Sequence, residues 1–177
     1  MTGVELIGSR ARGEATPRSD WDFQVEVTDF PAVAADLPAL AAPLAPLGQL
    51  WDPLSSRQVY AMILAGPIKI DLVFEEPHER EPPWRPSPET LPAIDTHFWD
   101  WTLWLTGKAY AGRAELVRAE LAKMSVHLLG PLGVGQVPAT IGDAVHRYRI
   151  ARDRLEAAYG VAVPRQLEDA IRPLVGA

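Results

Sequence analysis

The sequence predicts an α+β fold: a small mixed sheet of three to five strands with flanking helices, then a helical bundle from about residue 93. Three observations carry this reading. Apolar and polar residues alternate with period two in several short runs before residue 75. Six prolines crowd the interval from Pro77 to Pro92. Beyond them apolar residues recur at helical spacing with no strand signal. The chain therefore divides into a sheet-bearing domain over 1–76, a proline-rich linker over 77–92 and a helical domain over 93–177.

Val4–Ile7 is a short apolar run that stops at Gly8-Ser9 and reads as the first strand. Asp20–Val27 alternates, with Asp20, Asp22, Gln24 and Glu26 on one side and Trp21, Phe23, Val25 and Val27 on the other. Phe30–Leu47 is rich in Ala and Leu, but Pro38, Pro43 and Pro46 predict a broken helix or two short ones. A strand is expected near Gln49–Asp52. Arg57–Leu64 and Ile68–Phe74 form a hairpin about Ala65-Gly66-Pro67, with Lys69, Asp71 and Val73 on one face. The prolines of Glu75–Pro92 argue against both helix and central strand, so that stretch is expected to run over the surface. Helices follow over His97–Lys108, Arg113–Leu129 and Ile141–Tyr159, with a short last one over Arg165–Val175.

Composition narrows the function. With no cysteine in 177 residues, disulfides, thiolate catalysis and Cys-ligated metals are excluded. A formal charge of −6 disfavours a nucleic-acid partner held mainly by charge, while leaving room for a local basic pocket that takes a phosphate. No apolar run is long enough to span a membrane. The first twelve residues lack the apolar core of a secretory signal, and these features together suit the cytoplasm. His78, His97, His127 and His146 show no metal-ligand spacing.

The chemistry concentrates between Gly8 and Asp22. Residues two apart on a strand point the same way, roughly 6–7 Å from one another, so Asp20 and Asp22 can grip one or two hard divalent cations from one side. Like charges this close repel unless a cation or hydrogen bonds intervene. Asp71, on the polar face of its own strand, adds a third carboxylate if the two strands are neighbours. Oxygen-only ligands in that number suit Mg²⁺. Gly8 lets the backbone approach a triphosphate, Ser9 and nearby N–H groups donate to it, and a helix starting there would add its dipole. Arg10, Arg12 and Arg18 supply cations nearby. Together these parts suit nucleotidyl transfer, with two metals at the α-phosphate and the departing pyrophosphate. Glu75 and Glu76, just past the Asp71 strand, are candidate general bases.

Gly8-Ser9, ten intervening residues, Asp20-x-Asp22 and the later Asp71 resemble the nucleotidyltransferases of the DNA polymerase β superfamily. The wording Gly-Ser-Arg-Ala-Arg-Gly…Ser-Asp-x-Asp is similar to the small bacterial branch, which includes minimal nucleotidyltransferases and aminoglycoside and lincosamide resistance enzymes. The match spans roughly residues 4–74. The resemblance implies a polymerase β-like sheet and a C-terminal helical bundle; the site is expected in the cleft between the halves, where pockets tend to form. The resemblance also implies Asp20, Asp22 and Asp71 as catalytic, metal-holding residues and Gly8, Ser9, Arg12 and Lys108 as nucleotide-binding. The co-substrates implied are two Mg²⁺ ions and an NTP, with ATP first among them, and a small-molecule hydroxyl acceptor such as an aminoglycoside or lincosamide. Two other roles stay open: adding AMP to a protein partner in the manner of an antitoxin, and nucleotide binding or interaction without catalysis. Members of this group place a helix before the Gly-Ser strand; here the strand opens within four residues of Met1, a departure that bears on the nucleotide pocket.

Overall fold

The computed structural model describes residues 2–176. They form two compact units, one ending at Glu81 and the other opening at Pro82.

The first unit is an α+β layer built on five strands: β1 (Gly3–Ile7), β2 (Trp21–Glu26), β3 (Gly48–Trp51), β4 (Arg57–Leu64) and β5 (Ile68–Pro77). Their order across the sheet is β1-β2-β5-β4-β3. Only β2 and β5 run parallel; the other neighbours are antiparallel. A single turn, α1 (Gly8–Ala11), follows β1, and α2 (Phe30–Ala41) follows β2.

Alternation sorts the side chains as the sequence predicts. Val25, Tyr60, Met62 and Phe74 face α2, whose Leu37 and Ala41 close a core flanked by Phe30, Val33, Trp51, Ile70 and Leu72. Phe74 sits between Phe30 and Trp51, with ring centroids 5.2 and 5.8 Å away. Burying such a ring stabilises the layer by roughly 2–3 kcal/mol. The opposite face carries Asp22, Lys69 and Asp71, the residues that alternate with Phe23, Ile70 and Leu72.

Three expectations are refined. Pro38 lies inside α2 without ending it; the helix reaches Ala41 and tightens into a 3₁₀ turn over Ala42–Leu44. Leu37 and Ala41, on either side of that proline, are held by the core, which outweighs its missing hydrogen bond. Strand β5 continues through Glu75 and Glu76 to Pro77, paired with Arg57 across a register shift between Arg57 and Val59. A proline is tolerated there because it lies at that irregularity, beyond the stretch of β5 that pairs with β2. The helix expected after Gly8-Ser9 is one turn of four residues, too short to develop a dipole worth the name.

The second unit comprises α3 (Leu91–Tyr110), α4 (Ala114–Met124), a π turn over Ser125–Leu129, α5 (Ile141–Tyr159) and α6 (Gln166–Ile171). Helix α3 packs with α4, α5 and α6. It opens with Pro92 in its first turn, where a missing N–H costs nothing. Phe98 stacks on Tyr148 with centroids 3.7 Å apart, and Trp99 meets the same ring edge-on. The basic stretch of α5 reads from sequence as a solvated face. Arg147 fits that, paired with Asp143 one turn back at 2.7 Å. Arg152 does not: it is 1% exposed and reaches Glu168 at 2.6 Å and Asp95 at 3.5 Å. Among the described residues, no helix is long and apolar enough to cross a membrane.

Candidate functional site

Glycine at position 8 is a geometric requirement. Its φ of +71° lies in the left-handed region, and a Cβ there would stand 2.2 Å from Asp22 Oδ2. The backbone at Gly8 therefore lies directly against the Asp22 carboxylate. The contact follows from the β1–β2 pairing, which sets Ile7 opposite Asp22.

The loop from Arg12 to Asp20 is organised by its own short polar side chains. Ser19 Oγ accepts from the Thr16 N–H at 2.9 Å, and Thr16 Oγ1 accepts from the Arg18 N–H at 3.2 Å. Arg10 then fastens the loop to β2. Its Nε donates to the Asp20 carbonyl at 3.0 Å and its Nη2 to the Ser19 carbonyl at 2.7 Å. The same guanidinium lies 4.0 Å above the Trp21 ring, a cation–π contact. Arg10 thus holds the backbone that carries Asp20 and Asp22. Sequence reading offered it only as a possible phosphate cation; the fork geometry of arginine, which matches two successive carbonyls, becomes visible only once the loop folds back.

The parallel pairing of β2 with β5 sets Asp22 beside Asp71. Neighbouring strands are about 4.8 Å apart, and both side chains project from the face opposite α2, so the two carboxylates stand side by side. Asp20, on the loop immediately before β2, is 6% exposed. Asp71 Oδ1 is met at 2.8 Å by the ammonium of Lys69. The donor set is all oxygen, which suits a hard divalent cation. Among the described residues, no three carboxylate or imidazole groups are gathered closely enough to hold a metal ion. The structure thus brings two of the three acidic residues into adjacency and leaves the third on the adjoining loop.

The other candidates lie on several elements. Ser9 lies in α1, its carbonyl accepting from the Glu14 N–H at 2.9 Å. Arg12 is at the surface, paired with Glu14 at 2.8 Å. Lys108 belongs to the second unit, in the last turn of α3, with its ammonium 4.9 Å from the Trp104 ring. Glu75 is exposed and Glu76 half-buried near the end of β5. His78 is tied through Nδ1 to the Ser55 carbonyl at 3.0 Å. Asp95 is buried in the second unit, accepting from the Tyr148 hydroxyl at 2.6 Å. Of Trp99, Trp101 and Trp104 on α3, the first two are buried.

No family model matches this chain, and no curated protein matches it. Among solved structures, the chain is similar to an aminoglycoside 6-adenyltransferase from Bacillus subtilis, with 11% identity and a TM-score of 0.36. The alignment covers 88% of this chain and 87% of the other.

Proposed function

We propose that this chain is a magnesium-dependent nucleotidyltransferase, moving a nucleoside monophosphate from an NTP to a hydroxyl of a small molecule and releasing pyrophosphate. The observation that supports it best is the adjacency of Asp22 and Asp71 on parallel strands, with the Gly8 backbone against Asp22. Asp22 and Asp71 would hold the divalent cation, joined by Asp20 from the adjoining loop. When bound, magnesium would neutralise charge developing on the transferred phosphoryl group. Gly8 and Ser9 offer the backbone and hydroxyl donors that receive phosphate oxygens, and Arg10 keeps the acidic residues in register with them. Asp71 would also help to take the proton from the acceptor hydroxyl. Arg12 and Lys108 are proposed as further contacts to the nucleotide.

ATP is the first nucleotide to test, and aminoglycosides and lincosamides are the first acceptors, following the sequence motif. The test is pyrophosphate release from each of four NTPs with Mg²⁺ and a panel of these acceptors. Asp22→Asn and Asp20→Asn should abolish turnover while the circular dichroism spectrum stays that of the parent. Turnover that survives both substitutions would overturn the assignment.

A reading without catalysis draws on one observation: the described residues gather no three-carboxylate cluster. Calorimetry tests the enzyme reading, because a chain that binds no Mg·NTP is no nucleotidyltransferase; a chain that binds it without turnover of any acceptor keeps the non-catalytic reading.

A further inference from the structure

Lys69 stands two residues before Asp71 on β5, so the two share a face. A strand separates such positions by roughly 6–7 Å, a gap the four-carbon lysine stem spans. The ammonium reaches Asp71 Oδ1 at 2.8 Å with side-chain exposures of 6% for Lys69 and 14% for Asp71. On the β4 side the neighbours are apolar and buried: Ile63 and Ala61, the β4 partners of Lys69 and Asp71, are 0% and 1% exposed. An ammonium in such a place costs heavily unless it is paired. On the other side of Asp71 lies Asp22, at strand spacing. Two carboxylates so placed, one of them in a nearly dry setting, repel strongly unless a cation sits with them.

We propose that Lys69 is a built-in counter-cation for the Asp22–Asp71 pair, neutralising it so that the sheet folds without metal and fixing where the Asp71 carboxylate stands. The ammonium does for the pair without metal what a divalent cation would do for the pair that holds one. Only this last clause rests on the magnesium-dependent reading above; the folding role stands on the ion pair alone.

The test is thermal unfolding of the full chain, in EDTA and in millimolar Mg²⁺, for the parent, Lys69→Met, Lys69→Arg and the double variant Lys69→Met with Asp71→Asn. In EDTA, Lys69→Met should unfold about 10 °C below the parent, the scale expected when a buried pair loses one partner in a chain of this size. Magnesium should return much of that loss. Lys69→Arg, which keeps the charge, should retain most of the parent's stability in EDTA. The double variant removes the charge that needed neutralising, so it should recover stability in EDTA and lose the magnesium response. If Lys69→Met does not fold in EDTA, a folded double variant supports the proposal and an unfolded one overturns it. A Lys69→Met chain that unfolds with the parent in EDTA, or a double variant no better than the single, also overturns it. The two readings fail separately: a parent with no nucleotide turnover, but with this pattern of rescue, loses the enzyme assignment and keeps the counter-cation.

Discussion

Position 8 shows how much one missing Cβ can decide. The left-handed backbone alone makes any other residue cost roughly 1–2 kcal/mol there. The Asp22 carboxylate, 2.2 Å from where a methyl would stand, adds a second penalty that falls on the site itself. Gly8→Ala should therefore lower the urea midpoint modestly and nucleotide turnover much more, by about 100-fold, because small displacements of a positioning group are expensive in rate. Serine at the same position should behave like alanine, since the obstacle is the Cβ and not its polarity. Equal losses of stability and turnover would mean that Gly8 serves only the turn. Arg10 makes the complementary point. Its value lies in satisfying two carbonyls and covering Trp21 at once, a role that residue type suggests but only the folded loop reveals.

At the level of elements, α2 is held by the sheet more than by its own sequence. Pro38 leaves the Ala34 carbonyl without its helical donor, and yet Leu37 at 4% and Ala41 at 5% exposure keep the helix in place. Pro38 itself is exposed, so its replacement removes no packing. Pro38→Ala should stabilise the chain by about 1–2 kcal/mol, the restored hydrogen bond and relieved clash outweighing the looser unfolded chain. Chemical denaturation measures this directly, and a variant less stable than the parent would show that the proline shapes a bend the core needs. The strands were legible because a period of two depends only on neighbours in sequence: the limits of β4 and α5 are those the pattern predicts. The continuation of β5 to Pro77 was not, because its pairing partner is Arg57, twenty residues back. Asp22 beside Asp71 was legible as a possibility and needed the parallel register to become a fact. Lys69 was visible on the right face, but an ion pair within one strand carries no periodic signal. Arg152 reads as solvated until Asp95 and Glu168 arrive from distant helices.

For the molecule as a whole, ionic links within the helical unit set how stability responds to acid, and they do not all act in one direction. Hydrogen bonds from Arg165 first, then from the Val163 N–H, hold the Glu156 carboxyl below its ordinary 4.5. Arg165 reaches it at 2.8 Å through Nη1, tying α5 to the segment that leads into α6. Asp143 is lowered in the same sense by Arg147. For both, the unfolded chain takes up a proton before the folded one does, so their stabilisation is complete above the unfolded value and is lost as pH falls through the folded value. Asp95 runs the other way: burial raises its pKa despite the Tyr148 hydroxyl and Arg152. Its folded form protonates first, so its contribution grows more favourable as pH falls, offsetting part of the acid loss. Glu156→Gln isolates one side of this balance. The variant should have a lower urea midpoint than the parent at pH 7, and the gap should close as pH falls from above the ordinary 4.5 through the lowered folded value, where the parent's carboxylate is neutralised. A gap that stays constant across that range would mean Glu156 acts through its shape and the Val163 hydrogen bond rather than its charge, and the acid response would then rest on Asp143 and the remaining carboxylates.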